Sequence, residues 1–589
     1  MAFGSLPLTA RGGGWLVADV VPAAVMTRER LTEEHRLIEQ TAAEFMSGEV
    51  LPAIARLETK DWALNRELLR KCGALGLLGT SVPETYGGVD LDKVAALLVS
   101  EELARNASFA TTFGAQANLT ILPIALFGTD AQKQRYLPGL VSGQLAGAYC
   151  LSEPGAGSDA LSARTTATRQ ADGSFVLSGE KTWISNGGFA DVFVVFAKVD
   201  GEHFTAFLVE RAWPGVSSGH EEHKMGLHGS STTPVIFQDV RVPADAVLGE
   251  IGRGHKVAFN VLNFGRFKLG GMTSGGAKGT IADAAKYAAE RRQFGVAIAT
   301  FGAIRHKLGA MVAAEYALES LVYRTAGLLD EAIAAAGGGP AAVLQALEEF
   351  AVEASIAKVH GSEVAGFVID EAVQIHGGNG FVADYPVERK YRDARVNRIF
   401  EGTNEINRLL IPGLLVKKAL KGDLPLMAAG KALQAELMGA PAMPPTSESA
   451  LDAMTRAVSA FKKTTLLVAG TAMQTLGDAL QHEQEVLSLV ADLAIETFAA
   501  ESAVVRARAA ATARDGAMHE AAAGVVVDEA AGRVERSART ALAALAEGDT
   551  LRTHLAGLRR LLKVTPANSV RLRRQLSDAA LARGGYPFA

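Results

Sequence analysis

One carboxylate in the segment Ile399–Ile406 has the surroundings of a catalytic base. Glu401 stands between apolar Phe400 and flexible Gly402, just before a helical pattern that Gly402 or Asn404 could cap. A carboxylate beside apolar groups loses water, which raises its pKa towards the range in which a base is useful. The alternative interpretation is structural: an acid at a helix start that faces the positive end of the helix dipole. The local sequence leaves both interpretations open.

Two glycine-rich segments could bring the backbone close to a phosphate or a ring system. Gly155–Ala160 matches the loose pattern G-x-G-x-x-A, but Pro154 precedes it and it opens no strand–helix–strand unit, which argues against a Rossmann site. It is either an ordinary turn or a nest of backbone N–H groups that faces phosphate. Gln374–Gly380 follows a helical run and predicts either a glycine C-cap or a close backbone approach to a ligand.

Other patterns argue against metal and nucleic-acid functions. His220 and His223 have metal-ligand spacing, but no third ligand accompanies them, so we interpret the segment as a solvated loop and expect no metal. Cys72 and Cys150 are too few for a disulfide framework, which is typical of a reducing compartment. The formal charge of −5 gives no reason to expect a nucleic acid partner.

The chain that must position these groups is too long for one hydrophobic core. With 589 residues, of which 48% are hydrophobic, three or four domains are expected. An apolar run near the N-terminus, Trp15–Pro22, is interrupted by Asp19 and has no basic flank, so it predicts a tail that packs on the body. The predicted blocks are a tail at 1–28, helices at 29–147, a β domain at 148–252, a helical bundle at 253–421, a linker at 422–447 and further helices at 448–589.

The β block is defined by short β-rich runs that Gly, Ser, Asn and Asp clusters separate. These runs are Phe175–Leu177, Val192–Phe196, Phe204–Val209 and Val235–Val242. The pattern predicts an antiparallel sheet or small barrel, and the lack of alternating helices argues against a doubly wound parallel sheet. In the helical blocks, Thr32 is a predicted helix cap. The fold class is therefore α+β, mainly α, with an antiparallel sheet or small β-barrel domain.

Five segments, in order, resemble the acyl-CoA dehydrogenase family. Each is modest alone, but their order and spacing over roughly residues 30–420 are highly specific. The tail beyond residue 420 resembles the extra helical domain of the very-long-chain branch and its bacterial relatives. The five segments are Tyr149–Asp159, Lys181–Gly188, Arg291–Gly295, Gln374–Gly380 and Phe400–Asn404.

The resemblance implies FAD as cofactor and a fatty acyl-CoA as substrate. Glu401 would remove the α-proton while the β-hydride moves to flavin N5, which gives trans-2-enoyl-CoA as in fatty acid β-oxidation. In the family, the backbone N–H of the base and a ribityl hydroxyl of FAD stabilise the enolate oxygen. A weak carbon acid requires such donors as well as a base.

The resemblance also implies flavin contacts within one subunit. Trp183 would pack beside the ring system, and Ser185, where many relatives carry Thr, would donate to flavin N5. Thr403 and Glu405 would contact the adenosine half. The remaining implied flavin contacts are Tyr149, Leu151, Ser152, Gly157, Ser158 and Ile184.

Two further sets of residues follow from the resemblance. Contacts to the FAD of a partner subunit are implied for Arg291, Phe294, Gln374, Gly377 and Gly378. Substrate contacts are implied for Ser158 at the CoA part, for Asn263 and Arg266 along the acyl and CoA channel, and for Phe400 and Gly402 beside the base.

Gly265 distinguishes branches of the family. Some branches place the base immediately before the arginine matched by Arg266, where this chain has Gly265. Glycine cannot act as a base, which agrees with Glu401 in that role. A glycine beside the channel leaves volume for a long acyl chain, so we expect a long-chain preference.

The C-terminal part and the partners complete the expectations. Leu555–Lys563 predicts an amphipathic basic helix, which either lies on an anionic membrane or packs on its own domain. The resemblance implies a homodimer and electron-transfer flavoprotein as electron acceptor. The high Ala and Gly content, the lack of a transit-peptide pattern and the bacterial-looking tail predict a bacterial cytoplasmic enzyme. Two alternatives stay open: an acyl-CoA oxidase that uses O₂, and a dehydrogenase-like assembly factor without catalysis.

Overall fold

The N-terminal segment packs against the helical bundle. A computed structural model describes residues 6–440 and 447–588. Trp15 is 1% exposed, and its indole Nε1 donates to the Glu353 carboxylate at 2.9 Å. The backbone N–H of Gly13 donates to the same carboxylate oxygen at 2.7 Å. The tail therefore packs on the body as the sequence predicts.

Seven helices form the first domain. Thr32 caps the first of them, since its hydroxyl accepts from the backbone N–H of His35, as the sequence predicts. One helical run, Ala107–Phe127, is long and apolar enough to span a membrane, but 72% of its 18-residue apolar window is buried inside the protein. No other such run occurs in the part of the chain that the structure describes. The seven helices are α1 Glu33–Phe45, α2 Ile54–Glu58, α3 Trp62–Ala74, α4 Lys93–Leu103, α5 Ala107–Gln116, α6 Leu122–Phe127 and α7 Asp130–Val141.

The second domain is a sheet of eight strands. The four β-rich runs of the sequence fall in its four longest strands, which confirms their assignment. The strands are β1 Gly147–Cys150, β2 Thr166–Arg169, β3 Phe175–Ser185, β4 Val192–Val199, β5 His203–Glu210, β6 Val216–Ser218, β7 Thr232–Val242 and β8 Val247–Leu248.

The sheet is open, so of the two predicted forms, a sheet or a small barrel, the open sheet is the one observed. Its order is β6-β7-β3-β2-β4-β5-β8, with β1 beside β4, and among the described residues no pair joins β6 to β8. Both end strands are two or three residues long, which is too short for a closing ladder. Most pairs are antiparallel, but β1 and β2 each run parallel to β4. No helix alternates with the strands, so the sheet is not doubly wound.

The third domain is built on three long helices. Gly337 and Gly338, both with positive φ, form the turn before α10. A small hairpin, β9 Arg292–Gln293 and β10 Val296–Ala297, follows the first helix. The helices are α8 Gly254–Glu290, α9 Gly302–Ala335, α10 Gly339–Glu349, α11 Ala351–His376, α12 Pro386–Ala394 and α13 Asn404–Leu420.

The predicted linker contains a helix. α14 spans Leu426–Met438, and its Leu433 is buried. Leu, Met, Ala, Lys, Gln and Glu fill this stretch and favour helix, so the interpretation of all of 422–447 as linker is wrong here. The proline-rich part of that linker, 440–446, lies almost wholly outside the described residues.

The last domain consists of five helices that pack on the bundle. Buried ion pairs join α9 to it, since Arg506 binds Glu319 and Arg324 binds Glu501 at 2.5 and 2.9 Å. Buried pairs of this kind fix the relative placement of elements when both partners are satisfied. The helices are α15 Ala450–Leu476, α16 Gln484–Ala509, α17 Gly516–Leu545, α18 Gly548–Leu561 and α19 Ser569–Arg583.

The predicted amphipathic basic helix is α18, and it packs on its own domain. Its Leu558 is buried, and Leu551 and Leu555 pack against the same core. The Arg560 guanidinium donates to three carbonyl oxygens at the end of α14, including those of Leu437 and Gly439. The leucine face of α18 therefore packs on its own domain, while Arg552 and Arg559 are exposed.

Candidate active site

The turn that carries Glu401 has a backbone conformation that side chains seldom adopt. Glu401 has φ +58° and Gly402 has φ +77°. The Asn407 amide braces the turn by donating to the carbonyl oxygens of Gly402 and Thr403 at 2.8 and 3.0 Å. Non-glycine residues at positive φ cluster at functional sites, where the surrounding structure enforces them.

The helix after the turn is capped by Thr403, and neither predicted cap is used. The Thr403 hydroxyl accepts from the backbone N–H of Ile406 at 3.3 Å. A hydroxyl at this position reaches the third N–H of the helix, which Gly402 cannot do. Asn404 is instead the first helical residue, and its amide turns into the protein towards α11.

The Glu401 carboxylate is held in a poorly solvated place. Its Oε2 is buried and has no hydrogen-bond partner among the described residues. Burial raises the pKa of Glu401 to about 7, while the charges of Arg266 and Lys358 act in the opposite direction. A carboxyl with this pKa exchanges a proton readily near neutral pH. The structure therefore favours the base over the helix-start acid.

Gly265 lies directly under this carboxylate. A Cβ atom built on Gly265 would lie 2.7 Å from Glu401 Oε2 and 2.8 Å from its Cδ. The space beside the glycine is therefore occupied by the base. The prediction that Gly265 leaves room for a long acyl chain is wrong. The space is filled by the carboxylate of Glu401, which lies in the turn before α13.

The Arg266 side chain binds the backbone of the turn that carries Glu401. Its Nε donates to the carbonyl oxygen of Glu401 at 3.1 Å, and its Nη1 donates to Asn263 Oδ1 at 2.9 Å. Both Arg266 and Asn263 are buried on α8. The structure thus brings Glu401, Gly402, Asn263 and Arg266 together, and Phe400 lies half-buried beside them.

Tyr149 links the sheet to the base. Burial and the charge of Glu401 hold the pKa of Tyr149 well above its usual range. Its hydroxyl is buried without a hydrogen-bond partner in the described part of the chain, and its ring packs edge-on against Phe196 at 5.1 Å. An unpartnered buried hydroxyl beside a carboxylate is typical of a ligand site.

A kink in β3 turns Trp183 outwards. The register between β3 and β7 shifts between Lys181 and Ile184, and Trp183 within this bulge has φ +56°. Its indole is 61% exposed, whereas Ile184 is buried. The backbone N–H of Thr182 donates to the Ser152 carbonyl oxygen at 2.9 Å, which joins this strand to the segment after β1. A bulge of this kind aims a side chain away from the sheet.

The glycine-rich segment is a loop with an anchored start. The buried Glu153 carboxylate accepts from Lys181 Nζ at 2.7 Å and from the Thr165 backbone N–H at 3.0 Å. Beyond it, Gly155 and Gly157 face open space. The loop and Ser158 are exposed, and no helix of a Rossmann unit follows. The anchored loop presents backbone to an open region.

The residues assigned to a partner's cofactor lie at the far end of α8. The hairpin turn puts Phe294 at φ +53° with 93% of it exposed. Tyr287 stacks on His376 at 4.1 Å, which brings the loop with Gly377 and Gly378 to the same end of the helix. Since α8 rises about 1.5 Å per residue, this end lies roughly 35–40 Å from Arg266.

The structure therefore separates the predicted residues into two groups. Gly377 also has φ +60° and ends α11, which confirms the C-cap, while the space around Gly377 and Gly378 is open. Arg291 and Gln374 are exposed at this end. These residues do not share the Glu401 pocket of their own chain.

The two histidines, His220 and His223, lie in a loop. His220 and His223 are exposed, and Glu221 between them accepts from Ser231 and Thr232. Among the described residues, no group of three or more His, Cys, Asp and Glu side chains is arranged to hold a metal ion.

The contact between Lys358 and Asn404 is not predicted from the sequence, where Asn404 is expected only as a possible helix cap. Lys358 Nζ donates to Asn404 Oδ1 at 2.6 Å, close behind the turn with Glu401. A lysine in the apolar run Ala354–Val359 of a core helix is an unusual residue for such a position and could have signalled a site.

Comparisons with known proteins identify the family of this chain. Models of the N-terminal and middle domains of acyl-CoA dehydrogenase match residues 32–144 and 148–240, and two models described as the C-terminal domain of acyl-CoA dehydrogenase match residues 252–412 and 460–560. The probable acyl-CoA dehydrogenase of Bacillus subtilis is 46% identical over 573 residues, which is 96% of each chain.

Two further relatives bear on cofactor and substrate. The crystal structure of acyl-CoA dehydrogenase complexed with FAD from Bacillus anthracis superposes with a TM-score of 0.95 at 45% identity, covering 98% of this chain and 99% of that one. The mitochondrial very-long-chain specific acyl-CoA dehydrogenase of Homo sapiens is 44% identical over 348 residues, 57% of this chain and 51% of the relative. The fold is that of a FAD-dependent dehydrogenase. This chain belongs to the acyl-CoA dehydrogenase family.

Proposed function

We propose that this protein catalyses the FAD-dependent α,β-dehydrogenation of a fatty acyl-CoA with Glu401 as the base. The observation that carries the proposal is the Glu401 carboxylate itself, which is buried, unpartnered at Oε2 among the described residues and has a pKa raised to about 7. No specific observation favours the oxidase or the non-catalytic alternative.

Several features of the β domain fit a flavin, and one of them, Tyr149, lies beside Glu401. Trp183 offers an exposed indole face on a bulged strand, and the Tyr149 hydroxyl is buried and unpartnered in the described part of the chain. A Cβ would meet nothing within 4 Å at Gly155 or Gly157, so the loop can approach a large planar or phosphate-bearing group. These features are those that a ring system and a pyrophosphate require. FAD, when bound, accepts the hydride from the β-carbon.

The protein's part in the reaction is to remove a proton and to stabilise charge. Glu401 accepts the α-proton of the thioester, and its raised pKa makes it a stronger base than an exposed glutamate. The backbone N–H of Glu401 donates to no acceptor in the described part of the chain, so it is free for the developing enolate oxygen. Arg266 fixes the carbonyl side of the same peptide turn.

The pH dependence follows from the pKa of Glu401. Because the base works only when deprotonated, kcat/KM is expected to fall about tenfold per pH unit below pH 7 and to level off above it. Initial rates with one acyl-CoA from pH 5.5 to 8.5 measure this limb. A rate that stays constant down to the lowest pH at which the protein remains folded would show that Glu401 is not the base.

A long acyl chain is the proposed substrate. The support is the similarity to the very-long-chain relative and the extra C-terminal domain, which has its own family model. Anaerobic bleaching of the flavin absorbance by short-, medium- and long-chain acyl-CoAs at equal concentration is expected to be fastest with the long chains. Faster bleaching by a four-carbon chain would contradict this preference, and no bleaching by any chain would contradict the substrate class.

The proposed partners rest on the family resemblance. Electron-transfer flavoprotein is the proposed acceptor, and hydrogen peroxide formed in air at the rate of turnover would instead indicate an oxidase. A homodimer would place the exposed Phe294 and the loop at Gly377 near the cofactor of the second subunit. A cytoplasmic location stays a prediction. The leucine face of α18 packs against the core. The proposed membrane contact is therefore made by the charged face of this helix.

A further inference from the structure

Lys358 is a fully buried cation in the middle of α11. Its side chain is 0% exposed, and Nζ donates to Asn404 Oδ1 at 2.6 Å. The amide of Asn404 is held from a second side as well, since it donates to Ser362 Oγ at 3.0 Å. Asn404 begins α13, three positions after Glu401. Lys358 therefore fixes Asn404, which directly follows the Glu401–Thr403 turn.

The charges around Lys358 come from the Glu401 turn and from three helices. Burial lowers the pKa of Lys358 to about 7, Glu401 in the turn raises it, and Arg266 on α8 lowers it further. Glu405 on α13 and Glu363 on α11 also raise it. A buried lysine costs free energy unless a partner or a function offsets its desolvation.

Lys358 and Arg266 are the two cations that act on Glu401, and they are placed differently. Arg266 binds the Glu401 carbonyl oxygen and Asn263, so its guanidinium is committed to the backbone of the turn. Lys358 makes its hydrogen bond to Asn404 and opposes the rise in the pKa of Glu401 through its charge. Tyr149, which faces the same carboxylate, is neutral.

We propose that Lys358 is a positioning residue for the base: it anchors the turn through Asn404, and in its protonated form it places a buried positive charge beside the Glu401 carboxylate. The proposal rests on the proposed function of Glu401 as the base. It assigns to one buried lysine two effects that can be separated by substitution, because glutamine keeps a donor for Asn404 but loses the charge.

The test compares Lys358→Gln, Lys358→Met and Lys358→Arg in the holoenzyme. Loss of the cation raises the pKa of Glu401, so the midpoint of the acidic limb of kcat/KM is expected to move up by about one pH unit in the Gln and Met variants. The Met variant, which also loses the anchor, is expected to lose about tenfold more kcat at high pH. The Arg variant keeps the charge and is expected to retain the wild-type midpoint.

Lys268→Met is the matched control. Lys268 is also buried, lies on α8, and donates to the Ala96 carbonyl oxygen, but its charge is not among those that act on Glu401. The control is expected to leave the midpoint unchanged.

Infrared difference spectra provide a readout that needs no turnover. Subtracting spectra of Glu401→Gln from those of each Lys358 background isolates the Glu401 carboxyl band, whose titration is expected to shift upwards in the Gln and Met variants. An unshifted band in Lys358→Gln would overturn the proposal even if the enzyme turns over normally. A shifted band in a protein that oxidises no acyl-CoA would support Lys358 and reject the proposed function.

Discussion

Replacing Glu401 by glutamine is expected to lower kcat about 10³-fold or more while the protein keeps its FAD. Glutamine has nearly the same shape but cannot accept the α-proton, and a positioned general base contributes roughly 10²–10⁴-fold to a rate. The side chain makes no hydrogen bond through Oε2 to the described residues, so its loss leaves the fold intact. Steady-state turnover with an artificial electron acceptor and the flavin-to-protein absorbance ratio measure the two effects.

Glu102→Gln is the matched control for this substitution. Burial and the neighbouring charges of Glu101 and Glu39 raise the pKa of Glu102 to about 6, so it too is a carboxyl with a raised pKa. It lies on α4, outside the Glu401 turn. Wild-type kcat is expected for the control. Equal losses in both variants would mean that the effect of Glu401→Gln is not specific to the base.

Replacing Gly265 by alanine is expected to lower kcat about 10²-fold without destabilising the protein. The new methyl group would lie within 3 Å of the Glu401 carboxylate and displace it. The carboxylate is the free end of a flexible side chain, so it can move, and alanine favours a helix over glycine by about 0.5–1 kcal/mol. Misplacing a catalytic group by about 1 Å costs on the order of 10²-fold in rate. Turnover and the thermal unfolding midpoint test the prediction.

Gly276→Ala separates the contact from the general effect of alanine in α8. A Cβ at Gly276 would meet nothing within 4 Å. This variant is expected to gain the same helix stability and to keep the wild-type kcat. If Gly265→Ala were as active as Gly276→Ala, the carboxylate would not depend on the space that Gly265 leaves.

Local sequence predicts helix starts and strands correctly where short-range interactions determine them. Thr32 followed by two glutamates predicts a helix start, and the structure confirms the cap. Alternating β-branched and aromatic residues predict the strands, which the structure confirms as the longest of the sheet. An acid between an apolar residue and glycine singles out the Glu401 segment, but local sequence leaves two interpretations of it open, and only the resemblance assigns it the role of base.

Long-range contacts set the properties that sequence did not reveal. The pKa of Glu401 depends on burial and on Arg266 and Lys358, which belong to other helices. The positive φ values at Glu401 and Trp183 occur at residues that rarely adopt them, so no local rule predicts either. The sequence predicts space for an acyl chain at Gly265 for the same reason, because the Glu401 carboxylate that fills this space belongs to a distant segment of the chain.

The central claim, that Glu401 removes the α-proton, is tested most directly by a single-turnover measurement. Holoenzyme is mixed anaerobically with excess long-chain acyl-CoA, and the loss of oxidised-flavin absorbance is followed in wild type, Glu401→Gln and Glu102→Gln. Rapid bleaching in wild type and Glu102→Gln, with bleaching in Glu401→Gln slower by about 10³-fold or more, is the predicted result. Bleaching of Glu401→Gln at the wild-type rate would contradict the claim.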